Sequence, residues 1–119
     1  MYEIKFYQDD KGVEPVKEFL KDLYSRGDVA SKKRADKINA YLAILRQSGT
    51  FIGEPYVKHI DGELWELRPA RDRIFFAAWN GKQFVMLHQF IKKTQRTPPR
   101  EIETARRRLA DLKAKEGRK

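Results

Sequence analysis

The chain opens on an alternation: Tyr2, Ile4 and Phe6 are apolar while Glu3 and Lys5 are polar, the period of two that marks a half-buried strand. "QDDKG" breaks the pattern, and the spacing then becomes helical. Val16, Phe19, Leu20 and Leu23 in "VEPVKEFLKDLYSRG" form one stripe that stops at Gly27, a residue suited to end a helix. A second helix is predicted from Asp28 or Ser31 through "KKRADKINAYLAILRQSG", with Ala35, Ile38, Leu42 and Leu45 on one side. So short a link makes the two helices an antiparallel pair. A loop around "GTFIGEPY" leads to a strand carrying Lys58 and His59, and residues 64–94, "LWELRPARDRIFFAAWNGKQFVMLHQFIKKT", read as three further strands joined by two turns. "TPPREIETARRRLADLKAKEG" is a third helix, with Thr97 as N-cap, Pro98 at the first helical position, and Glu101 and Glu103 near the positive end of the dipole. The "KAKEGRK" end is expected to fray. The fold class is therefore α+β, with two N-terminal helices packed on a twisted antiparallel sheet and a basic C-terminal helix.

Asn80-Gly81 is a strong two-residue hairpin signal. It places Trp79 opposite Lys82, Phe75 opposite Met86 and Arg73 opposite His88. The "RPARDR" turn places Arg68 opposite Arg73. In this register Trp65, Leu67, Ile74, Phe76, Val85 and Leu87 share the face turned to the N-terminal helices. The other face presents Glu66, Arg68, Arg73, Phe75, Met86, His88 and Phe90. Arg68, Arg73 and His88 then form a cationic row across neighbouring strands, an arrangement that costs stability on a sheet that needs only to be wet.

Composition narrows the function. A chain of 119 residues, 40% hydrophobic, is long enough for one domain over residues 1–119 and short for two. No apolar run reaches membrane-spanning length and the N-terminus lacks a signal pattern, so a cytoplasmic protein with no membrane partner is expected. The absence of cysteine excludes disulfides, thiolate metal sites and cysteine nucleophiles, and two histidines are too few for a histidine-rich metal site. The net charge of +9 is unevenly placed. Residues 1–91 carry 15 Lys/Arg against 13 Asp/Glu, and residues 92–119 carry 11 against 4. Clustered cations of this kind point to a polyanion, or else to a solvated tail. Lys58 and His59 before the central strands, Lys92, Lys93 and Arg96 after them, and Phe75 and Phe90 among the charges extend the basic face into one suited to RNA, where guanidinium groups grip phosphate and rings stack on bases. The alternative is a wet sheet face on which Glu66 pairs with Arg68 or Arg73.

The segment "LWELRPARDRIFFAAWNGKQFVMLHQFIKKTQRTPPREIETARRR" closely resembles the phage-derived Gp49-like branch of the HigB and RelE toxin superfamily, in which a "WELRP…R" strand and an "LLHGFxKKtxktPxxEIexA"-type segment recur. The resemblance implies a small RelE-like α+β fold and a ribosome-dependent mRNA endonuclease, acting on ribosome-bound mRNA without a cofactor. It also implies a neutralising antitoxin, a HigA-like helix-turn-helix protein. It assigns contact with the scissile phosphate to Arg73, Lys92 and Lys93, with Arg68 as a further contact. Two departures stand out: other branches carry arginine where Lys93 stands, and a tyrosine in the C-terminal segment, whereas no tyrosine follows Tyr56 here.

Metal-free RNA cleavage uses the 2′-hydroxyl as nucleophile and needs a base, cations for the phosphorane and an acid for the 5′-oxygen. Arg73 and Lys93 are the expected cations. His88, beside Arg73 and Arg68, would be held neutral by like charge and suit the base. His59 or Lys58 could be the acid, His59 being equally readable as a solvent-facing edge residue. Glu66 is an alternative base or an ion-pair clamp on Arg73. A non-catalytic nucleic-acid binder and an inactive homologue acting only through a protein partner are the other classes. The mixed charge of the first two helices suits a protein surface, so an antitoxin is expected on the helical side.

Overall fold

The computed structural model describes residues 1–117. Helix α1 spans Pro15–Ser25, with proline in the first turn where an N–H has no intrahelical partner to lose. Helix α2 spans Val29–Ser48. Of the two possible starts, Asp28 is the cap: its Oδ2 accepts from the Ser31 N–H at 2.9 Å. The helix stops at Gly49, whose φ is +69°, and a Cβ there would lie 2.7 Å from the Tyr2 ring. Glycine suits the positive φ of this turn, and a side chain there would have to displace the Tyr2 ring. The expected loop holds a short 3-10 turn, Gly49–Ile52.

The strands are β1 (Glu3–Phe6), β2 (Val57–Asp61), β3 (Leu64–Leu67), β4 (Asp72–Trp79) and β5 (Gln83–Ile91), in the sheet order β1-β5-β4-β3-β2. Four of them are antiparallel neighbours as expected, but β1 runs parallel to β5. The sheet is therefore mixed.

The β3–β4 pairing follows the expected register, with Glu66 opposite Phe75 and Leu67 opposite Ile74. The β4–β5 pairing does not. Asn80 and Gly81 take the positive φ values that the turn demands, 47° and 74°, but the loop also takes in Lys82, so Trp79 faces Gln83. A β-bulge at Leu87 adds one more residue of slip. Phe76 faces Met86, Phe75 faces His88, and Arg73 faces Phe90 rather than His88.

The slip reassigns side chains between faces, because strand residues alternate. Helices α1 and α2 cover Leu67, Ile74, Phe76, Phe84 and Met86, with Trp65 at the margin. Val85 and Leu87, expected there, instead join Leu64, Phe75, Ala77 and Phe90 on the opposite face. That face is not open to solvent. Helix α3 (Pro99–Glu116) lies across it, seating Ile102, Ala105, Leu109 and Leu112 on those side chains.

Polar contacts anchor α3 to both margins of the sheet. The Tyr7 hydroxyl donates to Asp111 at 2.6 Å, Arg106 pairs with Asp61, Lys113 pairs with Glu63 at 2.6 Å, and Lys115 donates to the Gln8 carbonyl at 2.7 Å. Several cations of the basic C-terminal stretch thus answer acidic groups within the fold. The helix begins one residue later than expected: Pro98 is the N-cap and Thr97 caps nothing. It also continues through Glu116, past most of the stretch expected to fray, while Arg118 and Lys119 lie outside the described residues. Among the described residues no helix is long and apolar enough to cross a membrane.

Candidate active site

At the end of the sheet where β3 stops and β4 begins, the tight turn 68–72 sets two arginines beside a buried carboxylate. Glu66 is 2% exposed. Its Oε1 lies 3.4 Å from Arg68 Nε, an ion-pair distance without hydrogen-bond geometry, and Oε2 has no partner. Arg68 reaches outward to Glu54 at 3.2 Å. Arg73 folds back on its own turn, donating from Nη1 to the carbonyls of Ala70 (2.6 Å) and Asp72 (3.0 Å).

The buried Nε atoms of Arg68 and Arg73 are both without hydrogen-bond partners. Burial pushes the Arg73 guanidinium below its ordinary range; Glu66 opposes that shift and Arg68 adds to it. Unsatisfied buried donors and a partly desolvated cation are groups whose cost a bound anion would offset.

A cationic pocket opens beside these groups. A pocket of about 590 Å³ is lined by Ala70, Arg71, Arg73, Lys92, Lys93, Thr94 and Gln95. Lys93 and Thr94 also line an adjoining hollow of about 480 Å³ that runs to Arg100 and Glu101 at the start of α3. A cationic pocket continuous with a groove suits a phosphate within a chain more than an isolated anion.

The expected site residues divide between this pocket and other places. Arg73, Lys92 and Lys93 line it, with Glu66 and Arg68 directly behind. Lys58 is exposed and stands opposite Glu66, at the margin of the same cluster. Arg96 is exposed beyond the lining residues, its carbonyl accepting from Thr94 Oγ1 at 2.6 Å. His59 points to the other face, where Nε2 donates to the Gly62 carbonyl at 2.9 Å and the ring rests on Trp65.

Phe75 and Phe90, expected on an open face, are 0% and 5% exposed. They stack on each other beneath α3 at 5.5 Å, so neither ring is presented to a base. Arg71 lines the pocket and went unnoticed in the sequence, although its place two residues before Arg73 in a tight turn was the available signal.

His88 is likewise away from the row in which it was expected. It is half-buried between β5 and α3. Arg108 Nη1 lies 3.3 Å from its Nδ1, and Glu101 Oε1 lies 2.9 Å from its Nε2. Because a guanidinium can only donate, Nδ1 accepts and Nε2 carries the proton given to Glu101, which satisfies the neutral ring on both sides. The His88 pKa is lowered, as expected, but mainly by burial and then by Arg108 and Arg107, with Glu101 opposing. Arg73 and Arg68 are not the cause.

A histidine whose folded pKa lies below its ordinary 6.5 contributes stability that is present above that value and is lost as pH falls through the folded-state value, because the unfolded chain takes up the proton first. Urea unfolding of the parent and of His88→Gln across pH 7.5 to 4.5 measures this contribution as a steeper loss in the parent below about 6.5. Parallel curves would remove the titration from His88.

Fold and site together define a small α+β protein that offers an anion a cationic pocket at one end of a sheet sandwiched between helices. The family model for phage-derived protein Gp49-like matches residues 28–110, and the chain belongs to that family, which is related to toxin–antitoxin systems. No curated protein matches the chain.

Proposed function

We propose that this protein is the toxin of a toxin–antitoxin pair and acts as an endoribonuclease on ribosome-bound mRNA. The observation that carries the reading is the half-buried Arg73 guanidinium, whose buried Nε has no hydrogen-bond partner, at a pocket that also gathers Arg71, Lys92 and Lys93. With a backbone phosphate in the pocket, the neighbouring 2′-hydroxyl attacks phosphorus and gives its proton to solvent water, since the lining holds no carboxylate or imidazole to take it. The O2′–P bond forms, the P–O5′ bond breaks, and the products are a 2′,3′-cyclic phosphate and a 5′-hydroxyl. Arg73 and the lysines stabilise the doubly charged phosphorane, and an ammonium of Lys92 or Lys93 donates the proton that O5′ needs.

The pocket lining includes no imidazole or carboxylate, so its contribution is mainly positioning and charge. His88 has a structural role in this reading, linking β5 to α3, and Glu66 offsets the charge of the two arginines. The partner is an antitoxin on the α1/α2 side of the molecule, as the mixed charge of those helices favours.

Inducing the protein alone in bacterial cells and mapping mRNA 5′ ends tests the activity. New internal ends bearing 5′-hydroxyls are expected. Growth arrest without such ends would favour a non-catalytic binder, and neither effect would favour an inactive homologue. Lys93→Gln, at an exposed position, is expected to lower cleavage about tenfold and to reduce the salt dependence of RNA binding by about one ion. An unchanged salt slope would place Lys93 off the phosphate path.

A further inference from the structure

The residue that holds the Arg73 turn in place comes from the far side of the sheet. Asp72 precedes Arg73, and strand alternation sends its side chain to the α1/α2 face, where it is 3% exposed. Three donors hold its carboxylate there. Arg34 of α2 gives Nε to Oδ2 at 3.1 Å and Nη2 to Oδ1 at 2.8 Å. Gln89 of β5 gives Nε2 to Oδ1 at 2.9 Å.

The Asp72 main chain is equally engaged. Its N–H donates to the Pro69 carbonyl at 3.0 Å, closing the turn, and its carbonyl is one of the two acceptors for Arg73 Nη1. The other acceptor, Ala70, sits inside that turn with a φ of 56°, a conformation that L-residues adopt only when their surroundings impose it. Arg34 is itself steered by the Phe19 ring of α1, 5.6 Å from its guanidinium carbon.

We propose that Arg34 is a positioning residue for Arg73: it grips Asp72 in a two-pronged ion pair and so fixes the turn whose carbonyls aim the Arg73 guanidinium into the pocket. The inference rests on the reading of Arg73 as a phosphate ligand, and it gives α2 a direct mechanical connection to the opposite face. Lysine cannot replace arginine fully, because a single ammonium does not reproduce the planar fork that engages both carboxylate oxygens.

Two measurements test it. In the nitrogen-15 NMR spectrum, Arg34→Gln is expected to move and broaden the Arg73 Nε–H signal while leaving that of Arg106, paired with Asp61, unchanged; Arg34→Lys lies between. On ribosomes programmed with a defined mRNA, Arg34→Gln is expected to slow single-turnover cleavage about tenfold, with less than about a twofold change in apparent affinity, and to cost nothing further in an Arg73→Ala background. If Arg34→Gln fails to fold, Arg34→Lys, which keeps the charge but cannot make both bonds to the Asp72 carboxylate, must move the same Arg73 signal.

An unmoved Arg73 signal, or losses that add in the double variant, would overturn the proposal. If Arg73→Ala cleaves like the parent, the functional reading fails instead, and the NMR comparison still decides whether Arg34 positions Arg73.

Discussion

Arg73→Ala is expected to abolish mRNA cleavage and growth arrest, a loss on the order of 10²–10³-fold or more in rate, the range seen when a preorganised charge at a developing oxyanion is removed. The fold should survive. Arg73 is a partly buried cation with an unpartnered Nε beside a second arginine, and removing it relieves desolvation and like-charge cost while giving up two hydrogen bonds to carbonyls of its own turn. These terms are individually about 1 kcal/mol and opposed, so thermal unfolding should be unchanged or slightly raised. The check is cleavage on programmed ribosomes alongside calorimetry. A well-folded Arg73→Ala protein with full activity would end the assignment of this pocket as the active site.

Val85→Asp is expected to have the opposite profile, with loss of the fold itself. Val85 is 4% exposed and lies in an apolar cluster with Leu64, Phe75, Ala77, Leu87 and Phe90 under α3. Burying the charge, or the neutral acid with unmade hydrogen bonds, costs on the order of 4 kcal/mol or more, a large part of the roughly 5–15 kcal/mol that a domain has in total. Circular dichroism and the soluble yield measure it. Native-like unfolding of the variant would contradict the seating of α3 on this face. Because both faces of the sheet are covered, the result does not depend on which face Val85 occupies.

Several parts of the architecture were legible in local sequence. The stripes Val16, Leu20, Leu23 and Ala35, Ile38, Leu42, Leu45 are buried as the helical period requires, because neighbours within one element determine that pattern. Asn80-Gly81 marked a turn correctly, and "WELRP" followed by Arg73 brought Glu66, Arg68 and Arg73 together as the β3–β4 register implied. The site's cations could be named because a tight turn and two adjacent lysines keep close in space what is close in sequence.

The remainder depended on contacts between distant segments. The extra turn residue and the bulge at Leu87 shifted β5 by two positions at Arg73, and no local rule places a bulge, since its position depends on what packs above and below. The run "IFFAAW" at residues 74–79 did carry a warning: uninterrupted apolar residues mark a strand buried on both faces, and Phe75 is as fully enclosed as Phe76. That warning could not say what encloses it. Helix α3 is seated by Tyr7–Asp111 and Arg106–Asp61, pairs separated by 104 and 45 residues, and this placement moved His88 from a catalytic row to an interior link. The sequence alone determined the elements, their amphipathic faces and the cationic turn, because those follow from short-range periodicity and turn chemistry. Only the tertiary structure decided which charges line the open pocket and which meet one another, because that depends on where α3 and Arg34 come to rest against a sheet whose register is set by packing on both sides.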